Sequence, residues 1–349
     1  MHIFDYSFLA RQSIEPTVLN QAMAITAIST MSSVREQKYE KVFTELERVA
    51  VVESVRSSNA IEGIVTTDSR MMDIVARNLP PNNHNEAEIA GYRDALSLVH
   101  QHHDSLSLCS SDILLLHKTM FAFTEDPEAG KFKTDNNLIL EMDSDGNRHI
   151  RFRPVSAVDT PNAMEQLELS WISAKSDNNI NPLLLIPCVI LDFLCIHPFK
   201  DGNGRMARLL TLLLLYKYGY NACKYISLEA QINMFKADYY ASLRESSTGW
   251  HENSNDYLPF IKHSLYMLYR CYKELDNRFA VFNSGHVSKN ARIESTVLNS
   301  LIPISKAEIC QLLPDISVST VESVLGAMVK GGQIIRIGAG RSTRYIKAK

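Results

Sequence analysis

Twelve consecutive residues, His197-Pro198-Phe199-Lys200-Asp201-Gly202-Asn203-Gly204-Arg205-Met206-Ala207-Arg208, bring together a titratable base, a carboxylate, an amide, two glycines and two arginines. Each suits one task in handling a polyphosphate beside a nucleophile. An imidazole with an ordinary pKa near ~6.5 can take a proton from a hydroxyl at physiological pH, which makes His197 a general-base candidate. Asp201 offers a hard oxygen ligand of the kind Mg²⁺ takes when it bridges phosphates. Gly202 and Gly204 permit backbone conformations closed to other residues. A glycine-rich turn that opens a helix gathers free N–H groups and the positive end of the helix dipole at one point, which is an anion site. Arg205 and Arg208, three apart, share a helix face and are placed to clamp further phosphate oxygens. The assembly reads as a site for attack by an alcohol on a nucleotide phosphate. Its meaning lies in the combination: Asp145-Gly146-Asn147 repeats the Asp-Gly-Asn core between two strand-like runs and reads as a hairpin turn.

Three segments must position these residues. Asn181-Pro182 is an N-cap followed by proline at the first helical position, and Leu183 to Ile196 is a nearly continuous apolar run interrupted by Pro187. The run is too short to span a membrane and predicts a helix buried in the core. Pro198 disfavours helical geometry at the residue before it, so His197 stands at the helix end. A second apolar helix is predicted from Arg205 to Tyr218. A third periodic segment runs from about Val34 to Glu62 and stops at Gly63, a good C-terminal signal. Ser58 and Glu62 lie four apart at its end, and taken alone Glu62 is a surface glutamate before a helix-ending glycine.

At these residues the chain resembles the Fic family of protein AMP-transferases, whose motif His-Pro-Phe-x-Asp-Gly-Asn-Gly-Arg-x-x-Arg is matched from His197 to Arg208 at every fixed position. The resemblance implies an all-α fold, a Fic-type helical core with a small β-hairpin flap, and transfer of AMP from ATP to a hydroxyl side chain of a protein. It assigns His197 as general base, Asp201 as Mg²⁺ ligand, Gly202, Asn203 and Gly204 as the α-phosphate cradle, and Arg205 and Arg208 as holders of the outer phosphates. Glycine at 204, where phosphorylating relatives carry lysine, favours AMP transfer. Gly130-Lys131-Phe132-Lys133-Thr134 and the hairpin Asn137 to Phe152 are similar to the family's flap, with Lys133 standing where arginine is frequent. Ile232-Asn233 and Tyr239-Tyr240 resemble the adenine-pocket segment, which implicates Asn233 and Tyr240; two tyrosines at helical spacing fit a core equally well. Ser58-Asn59-Ala60-Ile61-Glu62-Gly63 fits the family's inhibitory motif, Ser/Thr-x-x-x-Glu-Gly/Asn. That implies a salt bridge from Glu62 to Arg208 that excludes productive ATP binding, and a route to removal of AMP through the same glutamate. Family members often form homodimers.

The rest of the chain sets the frame. It has 349 residues, 45% hydrophobic and 21% charged, with net charge −3, and predicts a protein with neither signal peptide nor transmembrane span, placed in the cytoplasm. Cys109, Cys188, Cys195, Cys223, Cys271 and Cys310 lack metal-site spacing and read as free thiols. His100, His102 and His103 read as a polar helix end. We divide the chain into an N-terminal helical region with the inhibitory helix (1–110), a catalytic core (111–282) and, after a loop-like stretch containing Asn283-Ser284-Gly285, a C-terminal unit (289–349). The last holds nine Lys/Arg against four Asp/Glu, a local charge of +5 that leaves −8 on the remainder. Its pattern, helices at 291–301, 305–313 and 317–330 with N-caps at Ser305 and Ser317, then a hairpin around Gly338-Ala339-Gly340, resembles a winged helix. A wing carrying Arg336, Arg341 and Arg344 points to weak contact with DNA phosphates. The would-be recognition helix has a single basic residue, Lys330, so a protein-packing role stands beside it. The functional alternative is a nucleotide-sensing, DNA-binding regulator with little transferase activity; intact His197 and Asp201 argue against it.

Overall fold

The computed structural model describes residues 2–348 except 12, 143–147, 284–287, 299, 301–302, 314–315, 339 and 341–342. The described part is helical throughout, with two small antiparallel sheets. In chain order the elements are α1 (Pro16–Lys38), α2 (Glu40–Ile61), α3 (Asp68–Arg77), α4 (His84–His102), α5 (Ser110–Met120), β1 (Ile139–Met142), β2 (Arg148–Phe152), α6 (Thr160–Lys175), α7 (Pro182–Ile196) and α8 (Asn203–Lys217). They continue with α9 (Ala222–Tyr225), α10 (Leu228–Met234), α11 (Lys236–Ser247), α12 (Leu258–Asn283), α13 (Lys289–Leu298), β3 (Ile304–Ser305), α14 (Lys306–Leu312), α15 (Val318–Lys330), β4 (Ile334–Ile337) and β5 (Arg344–Lys347). The all-α expectation holds, and no helix among the described residues is long and apolar enough to cross a membrane.

α7 is the axis of the core. Asn181 caps it by accepting the Leu183 N–H, Pro182 occupies the first turn, and from Leu183 onward every residue but Leu194 is buried. A helix that is apolar all round must be enclosed, and α7 packs against α6, α8, α11 and α12. α8 returns beside it, buried along nearly its whole length. α2 lies across α4, α8 and α10, which brings its C-terminal end to the start of α8.

Several boundaries differ from expectation. The segment predicted from Val34 to Glu62 breaks at Tyr39 (φ −125°), so α1 and α2 are separate helices. Tyr39 is drawn against the core, edge-on to Phe279 at 5.0 Å between ring centroids, a long-range contact with no local signal. α8 begins at Asn203, two residues before the predicted Arg205, because Gly202 in the left-handed region (φ 79°) already serves as its N-cap. The flap strands pair as predicted, with Ile139 opposite Phe152 and Met142 opposite Arg148. The turn read at Asp145-Gly146-Asn147 lies outside the described residues, as do Ser284, Gly285, Ala339 and Arg341. The loop expected at Asn283 is instead the last residue of α12.

In the C-terminal unit Ser305 and Ser317 cap α14 and α15 as expected, and Ser305 closes a full capping box with Glu308. The hairpin gains a third strand: β3, two residues long, pairs with β5, giving the order β3-β5-β4. Two charged residues of the expected wing have internal partners. Arg344 donates to Glu308 at 2.9 Å and to the Pro303 carbonyl at 3.0 Å, and Arg336 donates to Thr343 Oγ1. Glu308 also pairs with Arg48 of α2 at 3.3 Å, so the unit is tied to that helix.

Candidate active site

His197 ends α7 in the left-handed region, φ 52° and ψ 62°, with its N–H donating to the Phe193 carbonyl at 2.9 Å. A non-glycine residue held there stores strain of order 1–3 kcal/mol, which surrounding structure must hold in place. The ring Nδ1 lies 3.3 Å from the Leu194 carbonyl. A carbonyl only accepts, so Nδ1 carries the proton and Nε2 keeps its lone pair. Burial, with the nearby Lys133 cation, lowers the His197 pKa to about 4. At neutral pH the ring is therefore the unprotonated form that a general base requires.

The turn after it is tightly built. Asn203 accepts the Phe199 N–H on Oδ1 at 3.0 Å and donates to the Phe199 carbonyl through Nδ2 at 2.8 Å. Its side chain is thus spent on the turn, and what it offers an anion is its main-chain N–H in the first turn of α8. A Cβ at Gly202 would sit 2.6 Å from Met120 Cε. Asp201 accepts the Gly202 N–H on Oδ1 at 2.6 Å and its side chain is 71% exposed. His117 braces the same turn: its ring stacks on Phe199 at 3.8 Å, Nδ1 accepts from Gly130 N–H at 2.9 Å and Nε2 donates to the Asp201 carbonyl at 3.2 Å.

The two motif arginines do not act as one clamp in this arrangement. Both are buried, but Arg205 faces α4, where Nη2 meets Glu88 Oε2 at 2.7 Å and the guanidinium lies 5.1 Å from the Phe121 ring. Arg208 faces α2 and meets three acceptors: Nε donates to Ser58 Oγ at 2.8 Å, and Nη2 to the Ser58 carbonyl at 3.0 Å and to Glu62 Oε1 at 2.8 Å. The i, i+4 spacing on α2 stacks Ser58 and Glu62 on one face. Gly204 belongs to this contact, because a Cβ there would lie 2.5 Å from Glu62 Oε1.

His197, Gly204, Arg208 and Glu62 face a cavity of about 300 Å³. The flap supplies Ile139, Leu140 and Arg151; α11 supplies Tyr239, Tyr240 and Arg244. Tyr240 lines this cavity and is 41% exposed, and its neighbour Tyr239 is buried at the same wall. Asn233 is exposed at the end of α10 and is absent from the cavity wall. In the flap segment Lys131 is exposed and Phe132 packs toward Phe199, whereas Lys133 is buried beneath the His197 turn. Sequence reasoning missed the ties that hold the flap to α11, an ion pair of Glu141 with Arg244 and a bond from Arg151 to Ser247 Oγ at 3.1 Å. It also missed Glu88 and Lys236, whose Nζ donates to the Ile61 carbonyl at the end of α2. These partners are 96 to 175 positions apart, and no spacing announces them.

The helical core presents a histidine at a helix break, opposite a helix N-terminus bearing a buried arginine, an arrangement with donors suited to an anionic group. Residues 107–215 match the Fic/DOC family. It is similar to the protein adenylyltransferase fic-1 of Caenorhabditis elegans, 30% identical over 169 residues that make up 48% of this chain and 28% of that protein. It is also similar to the protein adenylyltransferase Fic of Nematostella vectensis, 27% identical over 220 residues, 61% of this chain and 46% of that one. The chain therefore spans less than half the length of these curated relatives. A Fic family protein from Desulfovibrio desulfuricans shares the fold across 97% of both chains, with a TM-score of 0.62 at 20% identity. A Fic domain containing signaling protein from Bacteroides thetaiotaomicron aligns over 74% of this chain and 94% of its own, with a TM-score of 0.58 at 22% identity.

Proposed function

We propose that this protein transfers AMP from ATP to a hydroxyl side chain of a protein, itself included, and that Glu62 holds the activity in check. The observation that carries the reading is the placement of an unprotonated His197 and the N-terminus of α8 on one cavity with Arg208, while Glu62 occupies Arg208. In the forward reaction His197 Nε2 takes the proton of the attacking hydroxyl. The hydroxyl oxygen forms a bond to the α-phosphorus, the bond from that phosphorus to the bridging oxygen breaks, and pyrophosphate leaves. The N–H groups of the first turn of α8 have no intrahelical acceptors and are aimed to neutralise charge on the α-phosphate oxygens. Asp201, with an exposed carboxylate whose Oδ1 serves the turn and whose Oδ2 lies 3.7 Å from Arg205 Nη2, is the hard-oxygen donor that would hold Mg²⁺, an ion that supplies positive charge to phosphate oxygens when bound.

Glu62 opposes this by occupancy. While its carboxylate and Ser58 fill the donors of Arg208, no guanidinium is available to the γ-phosphate. ATP then cannot settle with its α-phosphate in line with the hydroxyl. The same carboxylate, beside the site, is placed to orient a water for hydrolytic removal of AMP. The test is incubation of wild type, Glu62→Gly and His197→Ala/Glu62→Gly with labelled ATP and Mg²⁺, followed by mass spectrometry. A charge-assisted hydrogen bond worth about 1.5–3 kcal/mol, once removed, raises self-labelling by about 10- to 100-fold. Loss of the base lowers it by about 10²- to 10⁴-fold. Equal labelling of wild type and Glu62→Gly refutes the inhibitory role, and labelling by an adduct other than AMP refutes the reaction.

A further inference from the structure

The turn from α7 to α8 has main-chain carbonyls that no helix can satisfy, since the last four carbonyls of any α-helix lack intrahelical partners. Here a single side chain serves the critical ones. Lys133 Nζ donates to the Ile196 carbonyl at 3.1 Å, to the His197 carbonyl at 3.0 Å and to Asn137 Oδ1 at 2.8 Å. An ammonium has three donors, and all three are spent. The main-chain N–H of Lys133 adds a fourth bond, to the Pro198 carbonyl at 2.8 Å. Asn137, oriented by Lys133, passes its Nδ2 to the Phe199 carbonyl at 3.0 Å. Lys133 is 4% exposed and has no carboxylate partner among these contacts, so its charge is balanced by carbonyl dipoles alone. A lysine buried in that way is costly; burial lowers its own pKa to about 8. The placement is explained by the strained left-handed His197, which requires surroundings that over-determine it.

We propose that Lys133 is a positioning residue for His197: by gripping the carbonyls on both sides of the peptide that carries it, Lys133 fixes the direction of the imidazole toward the cavity. The proposal rests on the reading of His197 as the base. It gives Lys133, which the resemblance assigned to the flap, a place at the rear of the catalytic turn. The cation also sits where it opposes protonation of the histidine. Lys133→Met keeps the aliphatic stem and removes both the donors and the charge. Lys133→Arg keeps the charge and offers donors in a different fork.

The experiment uses the full chain with Glu62→Gly, adding Lys133→Met or Lys133→Arg, and reads kcat and KM for ATP. It also reads the titration of the His197 ring by NMR, which needs no turnover. A displaced base costs on the order of 100-fold in kcat, with KM for ATP changed by less than about twofold, because an interaction felt only in the reaction leaves ground-state binding alone. Lys133→Arg restores most of the loss. In Lys133→Met the His197 ring titrates at higher pH than in the parent. Loss of kcat in step with a raised KM, without rescue by arginine, marks Lys133 as ordinary packing and overturns the proposal. An unchanged His197 titration overturns it even if the parent transfers no AMP, an outcome that would separately sink the proposed reaction.

Discussion

Two positions less than a turn apart on α8, Arg205 and Arg208, carry the same side chain in different company. Arg205 is sealed against Glu88, itself buried on α4, so neither partner reaches solvent. Arg208 is equally buried, but Glu62 is 32% exposed and stands at the C-terminal cap of α2, just before Gly63 at φ 82°. The difference is one of exchange. A pair buried on both sides cannot part without leaving a bare charge in the core, which makes it a fastener. A pair whose acid is part exposed at a helix end can part into water, which suits it to the inhibitory role proposed above.

The sharpest way to break that comparison is to cut both pairs. Arg205→Met leaves buried Glu88 with only the exposed His84 ring, 3.2 Å from Oε1, as a partner, with an expected loss of about 3 kcal/mol in stability, visible as a fall in thermal midpoint. Glu62→Gly leaves Arg208 bonded to Ser58 and removes one charge-assisted hydrogen bond, so its stability loss stays within about 1.5–3 kcal/mol, while raising labelling as described above. A larger loss from Glu62→Gly than from Arg205→Met would erase the distinction.

pH reads the burial around the turn in a second way. Burial lowers His197, His117 and His2 to about 4 each, against an ordinary value near 6.5. Between those limits the unfolded chain binds more protons, so stability is full above pH 6.5 and declines as pH falls toward 4. Asp192, wholly buried in α7 and accepting from Tyr6, Trp250 and Tyr257, is raised by burial to about 7 and works in the opposite sense. The folded state keeps its proton where the unfolded state has lost it, so its contribution is present at low pH and fades as pH rises toward 7. Wild type should lose thermal midpoint from pH 6.5 to 4.5, and Asp192→Asn, lacking the counterweight, should lose more. A flat profile in both contradicts the assignment.

The smallest change is Gly204→Ala. The new Cβ would press on Glu62 Oε1 at 2.5 Å, so the carboxylate must shift and part of its hold on Arg208 goes with it. A rise of a few fold in labelling is expected, well short of the about 10-fold or more of Glu62→Gly. Adding Gly204→Ala to Glu62→Gly should bring no further rise. An additive effect would mean that Gly204 matters to the phosphate alone.

Much of this was legible in the residues. The helix before His197 announced itself through Asn181, Pro182 and a nearly continuous apolar run, and the site through a fixed order of residue types. Ser58 and Glu62 were legible as two residues four apart at one helix end, while the arginine they face came only from the resemblance. What escaped was whatever depends on a partner far along the chain. Glu88 could not be matched to Arg205, nor Lys133 to the carbonyls of Ile196 and His197, because hydrogen bonds to main-chain atoms leave no trace in residue spacing. Asn203 was legible as part of a cradle, yet its side chain turned out to be occupied by Phe199. Tyr39 broke a helix that local propensity would have continued, because an aromatic ring gained more from the core than the backbone lost.

The attachment of α2 at both ends has a mechanical consequence. Near its N-terminal half Arg48 is tied to Glu308 of the C-terminal unit, and at its far end Glu62 rests on Arg208. Twenty-two residues of helix make a stiff rod about 33 Å long. Displacement of the C-terminal unit would draw that rod along its axis. A travel of about one residue, 1.5 Å, would lift a carboxylate off a guanidinium without unfolding anything.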